Sequence, residues 1–433
     1  MATTYLNKTL GTPTNNKIWT WSAWVKRANL GSYGVLFNAS NSRDCIRFRG
    51  NNDRIQIFFS EVSAGDLETN AVYRDTNAFY HLVLAVDTTQ ATASNRVKFY
   101  VNGEQVTSWA TETYPAQNYA CKINSAIEHR IGKDFLYTEY FEGIMSHVHF
   151  CDGTQLAPTV FGETDATTGE WKIKTAPDSY TLGTNGFTIL KDGSTITDQS
   201  SNSNDWSLAG GTLTDVKDNP SNVFAVGNRL IPSLTTYTNG NLTISNGASW
   251  KASGSTLAVT QGKYYAEMKV DSLGGVGTTL GVEDMDLVST WSAVLVGTSV
   301  NGRGYYYNGN VYNNGSASSY GASYTTGDII SIALDMDNKF VYFRKNNGAW
   351  ENSGNPVSGS TGTGGLSLAG TTYCFAYAVY SSTVSLNFGN GYFGTTAITT
   401  NSGNGYSGTD GKSKFSYQPP TGYSALSTVG LNL

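Results

Sequence analysis

The chain has 433 residues, only 14% of them charged, and a net charge of −5. No basic patch stands out, which argues against a nucleic-acid partner, and no apolar run approaches the ~20 residues of a membrane-spanning helix. With 48 glycines and 12% aromatic residues, the surface must be made of Ser, Thr, Asn, Gly and Tyr, the residues of strands and turns, so the expected class is all-β: two β-sandwiches with essentially no helix.

In chain order, Ile18-Trp19-Thr20-Trp21-Ser22-Ala23-Trp24-Val25-Lys26 alternates, which puts Trp19, Trp21 and Val25 on one strand face. Cys45-Ile46-Arg47-Phe48-Arg49 and Arg54-Ile55-Gln56-Ile57-Phe58-Phe59 alternate again, and Tyr80–Asp87 reads as a buried central strand. Val97–Val101 runs into Asn102-Gly103, the strongest short hairpin signal. A last strand ending at Phe150 is expected to set Ile144, Ser146, Val148 and Phe150 against Met145, His147 and His149. Residues 151–174 resist a strand reading and form a tail that docks Phe161 and Trp171 on something apolar, so the first domain is 1–174. Residues 175–237 are expected to be a bridging segment. The second sandwich, 238–393, includes a hairpin of Ile329–Asp335 and Phe340–Lys345, and the Gly/Ser/Thr-rich tail 394–433 is expected to wrap the surface.

No catalytic residue is nominated. Retaining glycosidases need two carboxylates close together, and the first domain has no Glu-x-Asp-x-Glu strand; Glu283-Asp284-Met285-Asp286 reads as a strand end running into a solvated loop. His147 and His149 could meet one metal, but the sequence offers no third ligand, so no metal site is assigned. His81 opens a buried strand and reads as structural. Cys45, Cys121, Cys151 and Cys374 form no CxxC and read as buried thiols. The densest binding chemistry is Gly304–Gly315, where Tyr305, Tyr307, Asn308 and Tyr312 are candidate ligand-binding residues, with Tyr305 and Tyr307 on one face and Tyr306 on the other. Sugars stack on aromatic faces and hydrogen-bond to amides, and Tyr and Asn also serve adaptable protein contacts.

The series Trp21-Ser22-Ala23-Trp24-Val25-Lys26, His81–Asp87, Lys98–Gly103, Ile131-Gly132 and Phe141-Glu142-Gly143 resembles the concanavalin A-like, laminin G-like jelly roll. Such domains sometimes hold Ca²⁺ on loop carboxylates, for which Asp87 and Asp134 sit at strand ends, although no ligand is assigned and no cofactor is expected. Gly262–Glu267, Gly327–Ile330, Leu334–Asp337, Phe343–Gly348 and Asn387-Phe388-Gly389 resemble a SPRY-like domain, with one residue inserted at Asn346-Asn347-Gly348. The order of the two is similar to that in structural proteins of marine tailed bacteriophages, including those infecting cyanobacteria. This resemblance implies a non-enzymatic virion protein, an exposed fibre, tail or capsid appendage that contributes to host-surface or glycan adhesion. Its implied partners are other virion proteins, further copies of itself and a host-surface glycan or receptor. Met1-Ala2-Thr3-Thr4-Tyr5 lacks a signal-peptide layout, consistent with assembly in the host cytoplasm. The alternatives are a purely architectural decoration protein with no host ligand and, third, a polysaccharide hydrolase.

Overall fold

The computed structural model describes residues 3–40, 43–60, 62–231, 236–286, 295–399 and 405–433; Met1 and Ala2 lie outside them. It is all-β, and its single α-helix among the described residues is the four-residue Ala93–Arg96. The chain divides into two compact units, Met1–Asp215 and Val216–Leu433.

In the first unit an eight-stranded and a six-stranded antiparallel sheet enclose one core. Strand alternation accounts for it. Across the larger sheet Leu6, Ile131, Phe37, Ile46, Ile57 and Leu67 stand opposite one another in register and face inward. Across the smaller one the inward row is Phe187, Phe150, Trp21, Leu84 and Phe99. Trp19, Trp21 and Val25 share the buried face as their spacing predicts. The hairpin at Asn102-Gly103 also forms, with φ of 50° and 84°, the paired positive values a tight two-residue turn requires.

Two expectations are corrected here. The strand Gly143–Asp152 is not regular. His147 has φ 49°, and the register against Ile18–Arg27 shifts between Ser146 and His149. This extra residue changes the parity, so Met145 packs on the core together with Val148 and Phe150. Residues 175–237 are not a separate bridge. Phe187–Ile189 adds an edge strand to the six-stranded sheet and Ser207–Gly210 adds one to the eight-stranded sheet, while Trp206 fills the core. Phe224, Ala225 and Val226 are buried in the second unit.

The second unit repeats the two-sheet plan with its own core. The expected hairpin forms, Ala266, Ile332 and Phe343 point inward together, and Glu267, Ser331 and Arg344 point outward. The outer face of this sheet is covered by the C-terminal segment. Phe415 and Tyr423 pack with Tyr265, Ala333 and Tyr342, and Glu267 accepts the backbone N–H groups of Ser416 and Tyr417, both at 2.8 Å. The described tail residues thus lie over this face of the sheet.

Candidate functional site

The outer face of the first unit's eight-stranded sheet concentrates planar polar groups. Val35, Cys45 and Phe58 make a small buried patch there, and the guanidinium groups of Arg43 and Arg47 lie over Phe58, 5.0 and 4.9 Å from its centroid. Arg47 also stacks on Tyr33 at 4.4 Å and Arg43 on Tyr137 at 5.1 Å. Each guanidinium is held: Arg43 pairs with Asp134 at 2.7 Å and Arg47 with Glu139 at 2.9 Å. In the next row Arg47 donates to Gln56 at 3.1 Å and Gln56 to Asp66 at 2.8 Å. Glu68 gathers Arg49, Arg54 and Asn52 at 2.6, 3.2 and 2.7 Å. Burial works to raise the Glu68 carboxyl, but the Asn52 hydrogen bond and the Arg49 charge hold it below its ordinary value; burial, helped by the nearby Glu68 charge, pushes Asp66 up against its Gln56 hydrogen bond. Tyr33 also lines a shallow depression with Asn29, Ser32, Tyr140 and Glu142. Tyr137 and Leu136 stand 55% and 48% exposed at the margin. Donors and acceptors fixed in this way, beside exposed aromatic faces, are pre-organised for a hydroxyl-rich ligand.

Asp66 and Glu68, two apart on the strand Gly65–Thr69, form a shortened version of the paired-carboxylate pattern. Both Glu68 oxygens already accept hydrogen bonds from cationic or amide groups.

Of the four nominated ligand-binding residues, Tyr305 is a correction. It stands opposite Leu280 and Val311, is fully buried in the core, and donates to Ala322. The outward residue is Tyr306, in register with Thr279. Tyr307 follows the strand end and packs partly on the core, while Tyr312 is partly exposed and Asn308 exposed. The tyrosine run thus presents Tyr306 and Tyr312, joined by Trp250 and Tyr380, which the sequence did not single out.

The histidines are structural. His81 is fully buried between Trp24 and Trp171, accepts the indole N–H of Trp171 at 3.0 Å, and lies 2.9 Å from the Ser22 hydroxyl. His149 stacks on Phe161 and bonds Thr188 at 2.9 Å. Phe161 and Trp171 therefore dock on imidazoles rather than on the apolar surface expected. His147 and His149 are 6.4 Å apart between centroids, and among the described residues no group of three or more His, Cys, Asp or Glu could hold a metal ion. Asp87 accepts from Thr89 and Gln90, and Asp134 faces Arg43, so neither offers the oxygen-rich shell calcium needs. Glu283 and Asp284 do not sit in a solvated loop: both are buried at a strand end, where Glu283 accepts from Gly297 and Ser299 and Asp284 from Asn301. All four cysteines are free and buried.

Residues 2–161 match the concanavalin A-like lectin/glucanases superfamily, and residues 263–390 match the SPRY domain. The chain joins a concanavalin A-like domain to a SPRY domain. The arginine–aromatic face lies on the former and the tyrosine run on the latter. Among solved structures, the SPRY domain of human HERC1 is 20% identical, covering 34% of this chain and 87% of its own, with a TM-score of 0.26. A candidate carbohydrate binding protein of Bacteroides ovatus is 13% identical over 49% of this chain and 57% of its own, with a TM-score of 0.34. A pentraxin of Limulus polyphemus is 14% identical over 36% and 72%, with a TM-score of 0.27. No curated protein matches.

Proposed function

We propose that the protein is a non-enzymatic glycan-binding adhesin, carried as an exposed structural component of a tailed-phage virion. The observation that carries the binding reading is the outer face of the lectin-like domain, where two polar groups, Glu139–Arg47–Gln56–Asp66 and Glu68 with Arg49, Asn52 and Arg54, are each locked by their own bonds beside Tyr33 and the exposed Tyr137. The family match of residues 2–161 supports the carbohydrate class. The virion setting is supported by the resemblance of the domain order and by the low charge, which suits a rigid appendage whose copies bind weakly but together.

The test is binding of the full chain to intact host cells and to cells stripped of surface polysaccharide. Saturable binding that is lost on stripping, and about tenfold weaker for Tyr137→Ala, is expected. No binding by folded protein favours the architectural alternative. A second reading, polysaccharide hydrolysis, is favoured by Asp66 and Glu68 on one strand face with carboxyls shifted in opposite directions. Release of reducing ends that Glu68→Gln abolishes would establish it in place of the first.

A further inference from the structure

We infer that the SPRY domain carries a second carbohydrate platform, formed by Trp250, Tyr306, Tyr312 and Tyr380, that takes uncharged pyranose chains. The inference rests on the glycan-binding reading for its ligand class, but it concerns separate residues on a separate domain.

Four strands of the six-stranded sheet bring these rings together. Trp250 immediately precedes Lys251–Gly254, Tyr380 immediately follows Tyr373–Val379, Tyr306 ends Arg303–Tyr306, and Tyr312 lies in Asn310–Asn313. Successive centroids, Tyr380 to Trp250, Trp250 to Tyr306 and Tyr306 to Tyr312, are 5.7, 6.2 and 5.5 Å apart. The result is an unbroken row of aromatic groups, every one of them partly exposed. The row is built in place rather than left over. Tyr306 donates to Val276 O at 2.7 Å and meets the edge of Tyr307 at 4.6 Å. A Cβ at Gly277 would come within 2.2 Å of the Tyr307 ring, so that support needs glycine there. Trp250 rests on the patch of Ala252, Val296, Ala376 and Ala378. Thr279, opposite Tyr306, is buried with a hydroxyl that has no partner, an unmet hydrogen bond beside the central ring.

The ligand class follows from what covers the rings. In the lectin-like domain Tyr33, Tyr137 and Tyr140 each carry a cationic group. Among the described residues no Lys or Arg lies over any of the four rings here, so they offer stacking faces and hydroxyls without charge. Asn308 and Asn313 stand exposed nearby as amide partners. A protein partner fits less well. Rings of 150–250 Å² each that are already largely buried leave far less than the ~800 Å² per side of a stable protein interface.

The test is affinity electrophoresis of the full chain through gels containing a neutral β-glucan, xylan, galactan or mannan, with alginate as the charged control. At least one neutral polymer is expected to retard the protein. Trp250→Ala and Tyr306→Ala should each weaken that retardation about tenfold, while Tyr306→Phe, which keeps the ring, retains it. Tyr380→Ala serves if either alanine variant fails to fold. Run in the Tyr137→Ala background, the same series separates the two sites: retardation that survives Tyr137→Ala and falls with Trp250→Ala supports the platform whatever becomes of the first site. Retardation abolished by Tyr137→Ala and untouched by Trp250→Ala and Tyr306→Ala overturns it, as does the absence of retardation in every neutral gel or retention only by alginate or by a protein.

Discussion

Trp171 fixes the tautomer of His81. An indole N–H can only donate, so the Nδ1 that faces it at 3.0 Å bears no proton, and Nε2 carries the hydrogen toward Ser22. His129 is fixed in the same way, since its Nε2 accepts the backbone N–H of Asn124 at 3.1 Å. Burial lowers His81 and His149 to about 3 and His129 to about 4. These values lie below that of an unfolded histidine, so between them and pH 6.5 the unfolded chain binds protons that the folded one refuses. Stability is therefore lost as pH falls through 6.5, by about 1.4 kcal/mol per pH unit for each such histidine. Urea unfolding of the lectin-like domain should give a lower midpoint at pH 5 than at pH 7. An unchanged midpoint would mean that these rings are charged in the folded protein.

Each domain covers the outer face of one sheet with the segment that follows it, and the covering is held by few groups. In the lectin-like domain Trp171 is seated where a Cβ on either Gly103 or Gly162 would come within 2.5 Å of its ring. In the SPRY domain Glu267 carries much of the load, receiving Ser416, Tyr417, Asn387 and Tyr265 at 2.8, 2.8, 3.2 and 3.1 Å. Glu267→Gln turns one acceptor into a donor facing N–H groups. It should cost about 2 kcal/mol, read as a lower urea midpoint and as faster proteolysis within 405–423. At this scale the sequence was legible wherever alternation was one-sided. Trp19-Thr20-Trp21 and the Asn102-Gly103 turn sorted themselves, because bulky residues of one parity faced small polar ones. Tyr305-Tyr306-Tyr307 did not: three identical side chains give no clue to which parity is core, and the choice rests on Leu280 and Val311 in neighbouring strands. The bulge at His147 was equally hidden, because no glycine announces it. The lectin-like face was half visible in Cys45, Arg47 and Arg49 on one side of a strand; Tyr137, in a loop far along the chain, gave no periodic signal.

Across the whole molecule the titrating groups are unevenly shared. All four histidines, His81, His129, His147 and His149, belong to the first unit. In the second, burial raises Glu267 to about 7 against four donors that favour its ionised form. A carboxyl whose folded value lies above its unfolded value contributes stability at low pH, which is lost as pH rises through about 7. In the first unit burial also raises Asp44, to about 6, which acts in the same sense as Glu267. The several buried histidines outweigh that one carboxyl, so the two units respond to acid in opposite senses. Calorimetry of the full chain should show two transitions whose midpoints shift in opposite directions between pH 7 and pH 5, that of the lectin-like domain downward and that of the SPRY domain upward; two midpoints that shift together would contradict this.

The late edge strands bear on synthesis. Gly143–Asp152 acquires its outer neighbour only with Phe187–Ile189, and Tyr5–Thr9 only with Ser207–Gly210. A nascent chain that has just released residue 161 already holds every strand of the lectin-like match, yet both of its sheets end in an unpaired rim of backbone N–H and C=O groups. Such rims are templates for pairing with another chain. Some fifty further residues must leave the ribosome before these rims give way to the three- and four-residue edge strands of the finished sheets. Short edges pair less readily with another chain, so crowded polysomes are where this fold is more exposed to aggregation.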